Sequence, residues 1–452
     1  MTERQSERRN GSSNGAHEGL PPDSPAGRIQ YPPQAQQPPA DPNPPYRLPL
    51  AGVRILDMSV FQQGTYASAM LADMGADVVK IEGPNSPDPG RGGGGGDAPN
   101  GLSPYFQHLN RNKRAICLDL KHPQGKETFL KLVETADIFH NNMRPGVLDR
   151  LGLTYEVLKE RNPRIILSNA TGWGNEGPDA EAKMGSMDVL AQARGGIMSV
   201  TGTPESGPLA VGVPFADHVG ALVSAFGMMT ALWEREHSGE GQVSDTSLYG
   251  SQLCVQGLNI TAAMWGMPVR GLMADEDRAP HWSRYLCEDG LYLLVGGGQP
   301  AKWWAEFCEV MGAPELAEGG APAHIKSDRN RLRRAALQKI FLTKTRDEWL
   351  SILQPRFFVQ PIADYLEIAE DEQPWANGYL TNMPDPRDPE APFLPTIGPP
   401  VRLSRTPPSI RAAAPEFGQH TEEVLQEAGF DWDRINELRE AGAFGDLSRV
   451  SG

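Results

Sequence analysis

Asp217 stands at the entrance to the most apolar run of the chain, Val219 to Trp233, within the segment VGVPFADHVGAL. An aspartate directly ahead of a helical apolar run falls at an N-cap or in a first turn, where free backbone N–H groups and the helix dipole favour its charged form. Two roles fit that placement: a capping residue, or an ionised nucleophile able to attack an activated carbonyl. The ordinary aspartate pKa is about 3.9, so burial would have to raise it by roughly three units before the nucleophile were mostly lost at neutral pH. A second set of candidates is cationic. Lys113, Arg114, Lys121, Arg144 and Arg150 read either as solvated surface charge or as partners for an anionic ligand. The four cysteines, Cys117, Cys254, Cys287 and Cys308, show no CxxC pair and no metal-ligand spacing, so no metal site is expected. So few thiols in a large chain fit a reducing compartment, with the cytoplasm as the expected location.

The 452 residues carry 42 Lys+Arg against 57 Asp+Glu, a formal charge of −15. Nucleic acid and anionic membrane surfaces demand positive charge, so neither is an expected partner. At about 150 residues per domain the length predicts two or three domains. The apolar run after Asp217 is about fifteen residues long, bracketed by Asp217 and Glu234, and is expected to be too short to span a bilayer. Ten of the 41 prolines fall in residues 1 to 47, a stretch nearly devoid of Val, Ile and Phe, which predicts a disordered or polyproline-like tail. Nothing in that tail resembles a secretory signal.

The elements that must position these residues alternate. AGVRILDMS reads as a strand, GTYASAMLADMG as a helix closed by Gly75, and ADVVKIE as a second strand. RAICLDLK, DIFHNN and PRIILSNATGWG continue the strands, with GKETFLKLVETA and LTYEVLKERN as helices between them. Such alternation predicts a mostly parallel α/β sheet with its site at the strand carboxyl ends. The spacing of Leu222, Phe226, Met229 and Trp233 predicts a long helix from Asp217. YLCEDGLYLLVG predicts a hairpin around Asp289-Gly290, followed by helices in a smaller α+β domain, and EFGQHTEEVLQEAGFD a final helical tail. The polyglycine stretch Gly92 to Gly96 reads as a loop. There is no GxGxxG after the first strand, no phosphate-binding GxxxxGK[ST], no HExxH and no GxSxG.

The ordered segments LAGVRILDMS, GADVVKIE, NRNKRAICLDLKHPQGKE, ADIFHNNMRPGVLDRLGL, NPRIILSNATGWGNEGP and LWEREHSGEGQ, taken together, resemble the class III CoA-transferases, the group that contains formyl-CoA transferase and, as a divergent branch, α-methylacyl-CoA racemase. The resemblance implies a Rossmann-like large α/β domain, a smaller α+β domain and an interlocked homodimer. It divides the chain into the tail 1–47, a CoA-binding domain 48–255, a linker and small domain 256–374, and a return to the large domain over 375–452. It implies Asp217 as nucleophile, Gln62 beside the reacting centre, contacts to coenzyme A from Phe61, Lys121, Asn142 and Arg150, and an apolar wall of Leu118, Met143 and Leu151. A CoA thioester and a carboxylic acid would be the substrates, with no permanently bound cofactor. Where formyl-CoA transferase has an Arg after the second strand, this chain has Gly83, and Arg91 is the expected substitute for the phosphates. Gly296 to Gly298 and the polyglycine loop are candidate oxyanion donors.

Racemases of the group use a Gly-His-Asp sequence, which here is Gly185-Ser186-Met187-Asp188. Methionine cannot exchange a proton. The alternative, α-proton chemistry on an acyl-CoA, thus lacks its histidine, and Asp188 is expected to support the site or border the core. Trp265, Met267, Met273, His281 and Trp282 suggest a roomy apolar acyl pocket.

Overall fold

The computed structural model describes residues 29–92, 102–269, 271–323, 326–387 and 393–445. The chain forms two compact units: one from residues 1–191, 215–252 and 369–452, the other from 192–214 and 253–368. Residues 192–214, expected in the large domain, thus group with the second unit.

The first unit is built on six parallel strands in the order β3-β2-β1-β4-β5-β8. They are β1 (Arg54–Met58), β2 (Asp77–Glu82), β3 (Arg114–Cys117), β4 (Ile138–Asn141), β5 (Ile166–Thr171) and β8 (Val243–Ser247). The short strands β6 (Gly202–Thr203) and β7 (Gly207–Pro208) belong to the second unit. The helices are α1 (Gln63–Asp73), α2 (Pro104–Asn110), α3 (Pro123–Val133), α4 (Val147–Leu151), α5 (Tyr155–Arg161), α6 (Pro178–Glu181), α7 (Asp188–Arg194) and α8 (Phe215–Ser238). Buried strands of a parallel sheet must be apolar on both faces. On one face Leu56, Val79, Ile116 and Phe139 pack with Phe129 and with Val424, Leu425, Ile435 and Leu438 of the C-terminal helices Thr421–Glu427 and Trp432–Glu440. On the other, Ile55, Ile138 and Ile166 pack with Met70 and Leu71 of α1 and Ala221, Met228 and Leu232 of α8.

The helix predicted from Asp217 forms, but its faces are the reverse of a core stripe. Small residues, Ala216, Gly220, Ala221 and Ser224, are buried, whereas Leu222, Phe226 and Trp233 are 49, 71 and 70 % exposed. The full helix has 24 residues, more than the apolar run alone, and by length and composition it is long enough to cross a membrane. Its buried face, however, packs on α1 and the sheet as a core helix does.

Residues 29–47, part of the expected disordered or polyproline-like tail, lie against the rest of the first unit. Asn382 Nδ2 donates to the carbonyls of Ala35 and Gln37, and Tyr31 meets Trp375 edge to face. Pro-rich sequence fixes φ, so it can lie on a surface without a core of its own. Residues 1–28 and the polyglycine residues 93–96 lie outside the described residues.

The second unit carries the expected hairpin, β9 (Trp282–Leu286) and β10 (Tyr292–Gly296), extended by β11 (Val359–Pro361). Its core gathers Tyr285, Val295, Trp304, Phe307, Phe341 and Trp349.

Candidate active site

In a parallel sheet of this order the chain reverses direction of growth between β1 and β4, and the crevice at their carboxyl ends is where ligands bind. The residues after β1 and β4 meet across it. Asn142 Oδ1 accepts from the Val60 N–H at 2.9 Å and Asn142 Nδ2 donates to the Val60 carbonyl at 2.7 Å. The side chain expected to touch coenzyme A therefore holds the β1–α1 loop. Gly64 permits the approach, since a β-carbon there would stand 2.6 Å from Ser59 Cβ.

The loop is tethered at every residue. Ser59 donates through N–H and Oγ to Asp57, Phe61 N–H donates to Asp88 at 3.1 Å, and Thr65 Oγ1 donates to the Phe61 carbonyl. These bonds hold Phe61 at φ 58°, in the left-handed region, with a half-exposed ring. Gln62 follows as the N-terminal boundary residue of α1, partly buried.

Beneath the loop lies a buried polar network. Lys113 Nζ meets Asp57 at 2.9 Å and Lys80 Nζ meets Asp88 at 2.8 Å, with all four side chains essentially inaccessible. Burial alone would raise the Asp57 pKa, but the Lys113 and Lys80 ammonium groups hold it well below the usual carboxylate range. Burial pushes Lys113 down to about 8, and Lys80 adds repulsion, against the pull of Asp57. Lys113 and Arg114 were expected to add positive charge for a ligand. Lys113 is instead internal, and Arg114 binds Asp77, Glu423 and Glu427.

Arg91 is committed as well. Its guanidinium makes paired bonds to Glu82 at 2.8 and 2.6 Å and lies over Phe106, so it is no free phosphate partner. Gly83 bridges to Ser86 in a tight turn. Lys121, Arg144 and Arg150 are exposed and have no ion pair among the described residues. Lys121 follows β3, and Arg144 and Arg150 follow β4. Leu118 is fully buried, while Met143 and Leu151 are partly buried against the same cluster.

Asp217 occupies the first turn of α8, partly buried. Asp188, at the start of α7, accepts from the N–H groups of Ala216 at 2.6 Å and Asp217 at 3.2 Å. The helix donors expected to stabilise an ionised Asp217 are thus taken by a second carboxylate. Burial, reinforced by the Asp188 charge, pushes the Asp217 pKa up to about 7. The candidate nucleophile is thus biased towards its protonated form relative to an ordinary aspartate. A pH profile checks this: kcat/KM for transfer is expected to rise to a plateau through an apparent pKa near 7, and Asp188→Asn to move that limb to lower pH. An unchanged limb in Asp188→Asn would contradict the charge coupling.

Other groups nearby carry no sequence signal of their own. The Tyr105 hydroxyl has its pKa raised by burial and by the Asp217 and Asp88 charges. Tyr66, His108 and His218 form an aromatic cluster with ring centroids 4.9 to 6.4 Å apart. Burial pushes His108 down to about 3 and also lowers His218, against the pull of Asp188. In the second unit, Gly296 and Gly297 donate their N–H groups to Phe358 and His281 carbonyls, which withdraws both from an oxyanion role. His281 is fully buried, whereas Trp265, Met267 and Trp282 are exposed.

A six-stranded parallel sheet with helix-borne carboxylates at its carboxyl edge defines an α/β enzyme site. The CoA-transferase family III model matches residues 50–421. A formyl-CoA:oxalate CoA-transferase of Streptomyces coelicolor is 34 % identical over 87 % of this chain and 98 % of its own length. A succinyl-CoA:mesaconate CoA-transferase of Haloarcula hispanica is 32 % identical over 84 and 96 %. The crystal structure of a CaiB/BaiF family protein from Brucella suis superposes with a TM-score of 0.72 at 28 % identity, covering 85 % of this chain and all of the other. The chain belongs to CoA-transferase family III and is an enzyme of that family.

Proposed function

We propose that the enzyme moves CoA from an acyl-CoA thioester to a carboxylic acid through covalent intermediates on Asp217. The observation that carries this reading is Asp217 itself: a carboxylate in the first turn of α8, at the carboxyl edge of the sheet, capped by Asp188. The ionised carboxylate attacks the thioester carbonyl carbon; the C–S bond breaks and CoA leaves as thiolate, forming an anhydride. The thiolate attacks Asp217 Cγ, releasing the acyl group as a carboxylate and leaving an aspartyl-CoA thioester. The acceptor carboxylate attacks Cγ, expelling thiolate and forming a second anhydride. Thiolate attack on the acceptor's acyl carbon then releases the new thioester and restores Asp217. Thioester energy is conserved throughout. Gln62 and Phe61 border the reacting centre, Met143 and Leu151 line the coenzyme with Leu118 behind them, and the exposed Lys121, Arg144 and Arg150 meet its phosphates. The Asn142 side chain acts through the loop it holds.

The test is an exchange assay with formyl-CoA plus oxalate and succinyl-CoA plus mesaconate, the pairs named for the relatives, followed by a wider screen. A new CoA thioester and a hydroxylamine-trapped modification at Asp217 are expected. Absence of any adduct together with α-proton exchange in deuterated water would overturn the reading in favour of racemisation. Met187, which stands where a racemase has its histidine, is 69 % exposed and offers no proton.

A second copy of the chain is the proposed cover for the exposed stripe Leu222, Phe226 and Trp233, in line with the homodimer the family resemblance implies. Phe226→Glu is expected to shift the protein towards monomer in sedimentation velocity; an unchanged oligomer would exclude this face. The four cysteines are free thiols, which supports a cytoplasmic location.

A further inference from the structure

Gln63 is a buried amide in the contact between the two helices that carry the site. It opens α1, only 4 % exposed, and its Nε2 has no hydrogen-bond partner among the described residues. The amide lies against Gly220 of α8, one turn beyond Asp217: a β-carbon at position 220 would stand 2.8 Å from Gln63 Nε2 and 3.2 Å from its Cδ. One turn further along α1, Tyr66 packs on His218, the neighbour of Asp217 in the first turn of α8. Gln63 and Tyr66 therefore form one face of α1 that meets the first two turns of α8. A buried donor without an acceptor costs about 1 to 3 kcal/mol, and native proteins keep few of them. An acceptor that arrives only during function is one way for such a group to persist.

Resting on the covalent reading of Asp217, we infer that Gln63 Nε2 donates to the oxygen that becomes an oxyanion on Asp217 Cγ. In two of the four steps the attacked carbon is Cγ of Asp217, not a carbon of the substrate. The oxygen to be stabilised then belongs to α8, and a donor fixed on α1 by helix packing keeps its place whatever acyl group is bound. Gly220 is what lets the amide reach this position. Each addition to Cγ converts a planar carboxyl derivative into a tetrahedral centre with its negative charge on oxygen. Collapse returns the electron pair to the C=O bond as acylate or thiolate leaves. Gln63 contributes hydrogen bonds only and transfers no proton.

The experiment uses Gln63→Met, which keeps length and apolar packing but removes the donor. The expected result is kcat for CoA transfer lowered at least tenfold, KM for the acyl-CoA within twofold, and a thermal midpoint equal to or above that of the parent, because an unpaired buried amide has been removed. Rapid-quench mass spectrometry should show slower build-up of the CoA adduct on Asp217 when acyl-CoA is supplied without acceptor. A kcat within twofold of the parent overturns the inference. So does a fall in kcat matched by a fall in thermal midpoint, which would mark Gln63 as packing alone. Gly220→Ala, which displaces the amide, should reproduce the kcat defect. Parent enzyme with no transfer activity would instead refute the reading of Asp217, so the two failures are separable.

Discussion

Asp217→Ala is expected to lower CoA transfer by about 10⁴-fold or more, the scale seen when a covalent nucleophile is deleted. The size follows from the proposed covalent mechanism. Without the carboxylate neither the anhydride nor the aspartyl thioester can form, and no neighbouring group replaces it. Asp188 is held by the N–H groups of Ala216 and Asp217, and His218 packs against Tyr66. Folding should survive, because the capping of α8 depends on Asp188 rather than on Asp217. Removing Asp217 relieves carboxylate repulsion, so stability near neutral pH is expected to hold or rise. The sign follows from the raised pKa: the native state binds the proton more tightly than the unfolded chain, so Asp217 lowers stability progressively as pH climbs from about 4 towards 7. Acyl-CoA binding measured by calorimetry should remain within a few-fold. Retention of transfer in the alanine variant would remove Asp217 from the chemistry.

Asp57→Ala is expected to destabilise the protein by about 3 to 5 kcal/mol, the cost of stranding one partner of a buried ion pair. Asp57 is inaccessible and receives bonds from Ser59, Ser68 and Lys113. Its loss leaves the Lys113 ammonium, still bonded to the Thr65 carbonyl and Asn110, without a counter-charge. Denaturant titration measures the change. The double variant Asp57→Leu with Lys113→Met should recover much of it, since two apolar side chains of similar volume remove both desolvation costs together. A double variant no better than the single one would show that the bonds to Ser59 and Ser68, rather than the charge, carry the effect.

The strands and helices around the sheet were legible because each has its own period and its own punctuation, as in GTYASAMLADMG closed by Gly75. The proposed nucleophile was legible only through resemblance; its apolar run located a helix but not which side faces inward. The spacing of Leu222 and Phe226 predicted the helix, and residue size decided which of its faces is buried. Gly220, Ala221 and Ser224 let α8 lie close to α1 and the sheet, so the bulky side chains point away. Pairing was less visible still. A lone aspartate in RILDM and a lone lysine in VVKIE signal buried charges that need partners, but Asp88 and Lys113 lie on other segments that no local pattern connects. The same holds for Arg91, whose partner Glu82 ends β2. Asp217's proton affinity depends on Asp188, which is distant in sequence and close only in the fold.

Phe61, held at positive φ by Asp88 below and Thr65 above, stores of order 1 to 3 kcal/mol of backbone strain. That strain is balanced once, when the chain folds, and not again at each turnover. The segment carrying Gln62 has little conformational freedom left to lose when substrate arrives, so binding energy need not go into ordering it.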